Sequence, residues 1–146
     1  MNEAAWKRLL NLIRDGNVVP VVGPQLLVGN AGRQSLQRAI AERLLSQYEI
    51  EIDLDTAPPY RELDAAVSRL KTETNLQDLY ADVHAIMREL TAGDAAIPPP
   101  IRQLAQITDF RLFVTLTPDD LLARSLRQQR AVNEIVHSPK LPTSEG

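Results

Sequence analysis

The chain has 146 residues, 44% hydrophobic and 24% charged, the proportions of one ordinary globular domain with its own core. Aromatic residues make up only 4%, so that core must be aliphatic; a formal net charge of -3 without a dense Lys/Arg block argues against a nucleic-acid partner. Cysteine is absent, which excludes disulfides, thiolate metal sites and cysteine nucleophiles from these residues and fits a cytoplasmic setting.

Trp6, Leu9, Leu10 and Ile13 recur with helical spacing and form one face of an amphipathic first helix, which Gly16 is placed to end. Charges interrupt its apolar stripe, so it reads neither as a signal peptide nor as a membrane span. No other segment is apolar enough to cross a bilayer. Val18–Val22 is almost continuously apolar and β-branched, the pattern of a strand buried on both faces. Pro20 lacks a ladder donor and is expected at the strand's start or at an irregularity. The strand runs into Gly23, Pro24 and Gln25. A strand that breaks at a glycine and re-enters as a helix is how α/β folds build phosphate sites. The bare backbone admits the ligand, and the helix N-terminus offers free N–H groups. On spacing alone, such a turn is more often a plain connection.

Val28–Gln34, with Gly29, Asn30 and Gly32, reads as a loop. Ser35 is placed to cap a helix whose inner face carries Leu36, Ala39, Ile40 and Leu44. Glu49 to Asp55 alternates acidic and apolar residues, as an edge strand or an extended loop would. Its carboxylates, on Glu49, Glu51, Asp53 and Asp55, read as a solvated edge rather than a cation site. Pro58 and Pro59 stop this segment, and Tyr60–Leu70 is predicted as a short helix built on Leu63, Val67 and Leu70. Thr74-Asn75-Leu76-Gln77 is a capping-box pattern. It opens a long helix through Leu79, Tyr80, Val83, Ile86 and Leu90 that Gly93 closes. One of Pro98, Pro99 and Pro100 is expected in the first turn of a helix over Ile101–Thr108.

Leu112–Thr115 is a second strand, and Pro118 to Gln129 a helix with Leu121, Leu122 and Leu126 inward. Val132–Val136 is a candidate third strand, and Ser138–Gly146 a poorly ordered tail. The sum is a helix-rich α/β fold, a parallel sheet flanked by helices, in one domain over residues 1–137.

Thr115, Thr117 and Asp119 follow the second strand, at the edge where open parallel sheets bind ligands. Hydroxyls and a carboxylate there can contact a ribose, and Thr117 or Asp119 can equally cap the next helix. Arg124, Arg127 and Arg130 are spaced to form a basic strip, either a solvated face or an anion site. His84 lies mid-helix without a partner motif, and two isolated histidines give no metal-ligand spacing. The chain has no Gly-x-Ser-x-Gly elbow, Walker lysine or His-Glu-x-x-His.

Two fragments together, VVPVVGPQLL at 18–27 and FVTLTPDDLLARSL at 113–126, resemble the sirtuin-like domains of bacterial antiphage defence proteins. The corresponding segments of that family read apolar strand, Gly-Ala-Gly, small residue, helix, and strand-Thr-x-Asn/Thr-x-Asp-x-Leu-Leu. The order of the fragments, the helical region between them and the leading helix with Trp6 are also similar, over roughly residues 1–137.

The resemblance implies a Rossmann-like domain that binds NAD or ADP-ribose and breaks the nicotinamide–ribose bond. It implies that Gly23, Pro24 and Gln25 hold the pyrophosphate and that Thr115, Thr117 and Asp119 orient ribose and nicotinamide. Asp119 and His137 are its candidate catalytic residues, His137 as general base. Pro24 and Gln25 stand where the family has alanine and a second glycine. Leu27 replaces a small polar residue, Thr117 an asparagine, and Ser138 the glycine after the histidine. Family domains carry further strands after that histidine, so the resemblance implies the front portion of such a domain, truncated or shortened. An uncovered sheet edge then calls for a homo-oligomer or a defence-system partner. Three expectations follow: an NAD nucleosidase, a module that binds NAD or ADP-ribose without cleaving it, or an assembly module that keeps only the fold.

Overall fold

A computed structural model of the chain describes residues 1–28 and 34–136. The centre of the predicted loop at 29–33, the candidate base His137 and the predicted tail lie outside the described residues.

Helix α1 spans Glu3–Arg14. Asn2 caps it by accepting a hydrogen bond from Ala5 N at 2.8 Å, and Gly16, at φ 75°, takes the left-handed conformation beyond its C-terminus. Its amphipathic stripe matches the predicted one, yet α1 buries no residue. Strand β1 is only Val21–Val22, and it pairs in parallel with β2, Val114–Thr115. The register matches Val21 with Val114 and Val22 with Thr115. Pro20 stands just outside β1: it cannot donate, but its carbonyl accepts from Val114 N at 2.9 Å. The ladder continues with Leu116 N donating to Val22 O at 2.9 Å.

Contrary to what its apolar run predicts, the first strand is not buried on both faces. Val22 is 2% exposed and Val21 61% exposed, so a single face is covered. The third strand predicted at 132–136 does not form; those residues take no regular structure. Ile135 and Val136 are exposed, and among the described residues no strand pairs with them.

Helix α2, Leu36–Gln47, is capped by Ser35 Oγ, which accepts from Arg38 N at 3.2 Å. The acidic-apolar stretch after it is a loop that ends in one 3₁₀ turn, Leu54–Thr56. Helix α3, Glu62–Leu70, and helix α4, Leu76–Leu90, pack on α2. The cap of α4 is Asn75 rather than Thr74: Asn75 Oδ1 accepts from Gln77 N at 2.8 Å. Leu44, Ala66, Leu70 and Leu79 are wholly buried at the centre of this three-helix core.

Helix α5, Pro99–Ala105, has prolines in its first turn, where a missing N–H costs nothing. It packs on α6, Leu121–Arg127. Val22, Leu27, Ile101, Leu121, Leu122 and Leu126 make up most of a second core, under one face of the small sheet. Leu36 touches both cores and joins them. The architecture is therefore helix-rich, with six α-helices and a two-stranded parallel sheet among the described residues.

Candidate functional site

Parallel pairing sets both strands to end on the same edge of the sheet, and this brings the two sequence fragments together. Val22 lies opposite Thr115, so Gly23 and Leu116 leave the sheet side by side. Gly23 is extended, with φ -105° and ψ -180°, a conformation open to any residue. Among the described residues, no atom other than those of its chain neighbours lies within 4 Å of where its Cβ would stand. Neither backbone strain nor packing by the described residues therefore requires glycine here, and they leave the space beside it open.

Pro24–Leu26 forms a single 3₁₀ turn in which Leu27 N donates to Pro24 O at 3.0 Å. Gln25 is exposed, while Leu27 is 3% exposed and anchors the turn in the second core. The apolar residue at 27 thus has a packing role. The long helix that follows, α2, starts only at Leu36, so the turn after Gly23 carries no long-helix dipole.

On the neighbouring strand Thr115 is exposed and Thr117 half-buried. Asp119 Oδ1 accepts from Leu121 N at 3.0 Å, which satisfies an orphan donor in the first turn of α6. Capping, one of the two alternatives for this residue, is therefore real. Its other oxygen, Oδ2, is buried without a hydrogen-bond partner among the described residues. A buried carboxylate oxygen left unpaired is costly. Asp120 makes no cap hydrogen bond and pairs instead with Arg124 at 2.7 Å.

The arginines do not form a strip. Arg124 donates to Thr91 O at 2.5 Å and to Gly93 O at 3.3 Å, closing the end of α4. Arg127 pairs with Glu134 at 3.0 Å. Arg130 donates to Phe110 O at 2.7 Å and to the carbonyls of Ala105 and Ile107, at and just beyond the end of α5. Its guanidinium also lies 5.6 Å from the centre of the Phe113 ring. Carbonyls at helix ends hold partial negative charge, and these guanidinium groups neutralise it.

The acidic segment is likewise used internally. Asp53 Oδ1 accepts from Asp55 N, and Asp55 pairs with Arg38 at 2.8 Å. That pairing, helped by Glu42, holds the Arg38 guanidinium further above its ordinary range. Among the described residues no group of three or more His, Asp or Glu could hold a metal ion. His84 is exposed on α4. Glu62 is buried, at 8% exposed, with Oε2 unpartnered. Its sequence signal was the spacing Glu62-Ala66-Leu70, one carboxylate on an otherwise apolar face of α3. The positive end of α3 accommodates it there.

No family model, curated protein or solved structure matches this chain.

Proposed function

We propose that the two strand ends bind ADP-ribose, free or as part of NAD, in a Rossmann-like domain of the sirtuin-like kind. The observation that carries the reading is the apposition of Gly23 with the Thr115–Asp119 segment across a parallel pair, beside the unpaired Asp119 Oδ2. The edge beyond the C-terminal ends of parallel strands is the usual ligand edge of an open α/β sheet. The half-buried Thr117 hydroxyl supplies the polar contact to a ribose hydroxyl, and Asp119 Oδ2, closed off from solvent in this structure, accepts a second one when the Thr117–Asp119 segment opens on binding. The open space at Gly23 admits the pyrophosphate to the backbone, with Pro24 and Gln25 flanking it.

In the enzymatic form of this reading, water replaces nicotinamide on the ribose, giving ADP-ribose, nicotinamide and a proton. His137 then takes the proton from the attacking water, and Asp119 orients the ribose. The setting is a cytoplasmic defence system. No helix among the described residues is long and apolar enough to cross a membrane.

Calorimetry with ADP-ribose and with NAD tests the binding step. Asp119→Asn keeps an oxygen for the Leu121 cap but presents a donor in place of the free acceptor. It is expected to weaken binding at least about tenfold, near 1.4 kcal/mol. Gly23→Ala is compatible with the backbone and meets no neighbour, so it leaves the fold intact and weakens binding by crowding the phosphates. Binding unchanged in both variants, or absent from the parent chain, contradicts the proposal. Nicotinamide release, lost in His137→Ala, tests cleavage separately.

A further inference from the structure

Asp119 stands between two demands. Its Oδ1 caps α6, while Oδ2 is shut away from solvent and reaches a ribose only when the segment opens. The next residue holds that segment shut. Asp120 makes no cap hydrogen bond, and its Oδ1 instead accepts from Arg124 Nη2 at 2.7 Å, one turn along α6. A surface pair at that spacing ordinarily contributes little, because two mobile side chains must be ordered to form it. Arg124 differs in being held already. Its other terminal nitrogen, Nη1, donates to Thr91 O at 2.5 Å and to Gly93 O at 3.3 Å, beyond the end of α4. Thr91 is 5% exposed and its hydroxyl donates back to Met87 O, so this anchor is built into the end of α4. Two carbonyls therefore fix the planar guanidinium before Asp120 meets it.

We propose that Asp120 and Arg124 form a latch on the candidate site: they are positioning residues that keep Asp119 capped and closed, and they part when ligand binds. The inference rests on the reading of the strand ends as an ADP-ribose site. Asp119 and Asp120 are joined by one peptide bond. Moving the Thr117–Asp119 segment away from α6 draws Asp120 with it, while α4 keeps its hold on Arg124 through Nη1. Opening therefore breaks the pair at Nη2, and ligand binds only the open fraction of molecules. Loosening the pair enlarges that fraction and tightens binding.

Asp120→Ala and Arg124→Gln break the pair from opposite sides in charge. Asp120 has φ -108° and ψ 14°, a backbone open to any residue, and glutamine at 124 still offers a donor to Thr91 O. ADP-ribose is an anion, so electrostatics alone makes Asp120→Ala bind it more tightly and Arg124→Gln more weakly. The latch predicts that both variants bind it about two- to fivefold more tightly in calorimetry, and that the double variant gains no more than either. Asp120→Asn separates the two accounts without touching Arg124, since it loses the charge but keeps an acceptor oxygen for the guanidinium. Electrostatics alone tightens it as much as Asp120→Ala, whereas the latch leaves it near the parent.

Amide hydrogen exchange reads the latch without ligand. The Leu121 N–H, bonded to Asp119 Oδ1, is expected to exchange at least about twofold faster in Asp120→Ala and Arg124→Gln, with the amides of α2 unchanged. Leu121 exchange at the parent rate in Asp120→Ala overturns the proposal, as do opposite changes of affinity in the two variants. Binding that both variants leave unchanged overturns the latch alone. No binding of ADP-ribose by the parent chain or any variant overturns the reading of the strand ends, and the latch with it.

Discussion

Single side chains do several jobs here that their residue type alone leaves open. Asp119 is the sharpest case: the sequence offered a cap or a ribose contact, and the structure uses one oxygen for the cap and buries the other without a partner among the described residues. Arg124 and Arg130 were legible as a spacing but not as ties between elements, because their carbonyl partners lie 20 to 33 residues away in sequence. Tyr48 is another long-range tie, donating to Asp82 Oδ2 at 2.6 Å. That hydrogen bond, with some burial, raises the Tyr48 phenol above its ordinary value of 10.0. A group raised in the folded state stabilises it fully below the unfolded value and loses that contribution as pH climbs through the folded one. Folding stability should therefore decline above about pH 10 as Tyr48 ionises. Urea denaturation across that range, compared with Tyr48→Phe, checks this: the variant should lack that part of the decline.

Helices were far more legible than strands. The apolar periods of α2, α3 and α4, together with the signals of Ser35 and Gly93, placed each helix within a few residues. They are long enough for local spacing to reveal a buried face. The strands are two residues each, and what holds them is a partner more than ninety residues away, which no local pattern reveals. Val132–Val136 shows the converse, a segment with three β-branched residues and, among the described residues, no strand beside it. The same contrast separates the helices energetically. Leu44 of α2 is wholly buried among α3 and α4, so Leu44→Ala should cost about 2–5 kcal/mol, read as a lowered denaturation midpoint. Helix α1 holds no such residue, and its amphipathic pattern, plain in the sequence, did not say that none of its side chains would be fully buried among the described residues.

At the scale of the molecule, two cores share the work. The three-helix core of α2, α3 and α4 is built from near-neighbours in sequence, while the second core gathers β1, α5 and α6 from both ends of the described chain. The candidate site sits on the second core, where the sheet ends, and that position follows from parallel pairing alone. Seen from the sequence, the two fragments were separate signals joined only by resemblance. Their physical adjacency is what makes a ribose–phosphate site a sensible reading. Amide chemical shifts of the isotopically labelled chain, recorded as ADP-ribose is added, test that reading most directly. The account predicts shifts confined to Val22–Gln25 and Leu116–Leu121, with α3 and α4 unmoved. Shifts centred on α3 or α4, or no shifts at saturating ligand, would contradict it.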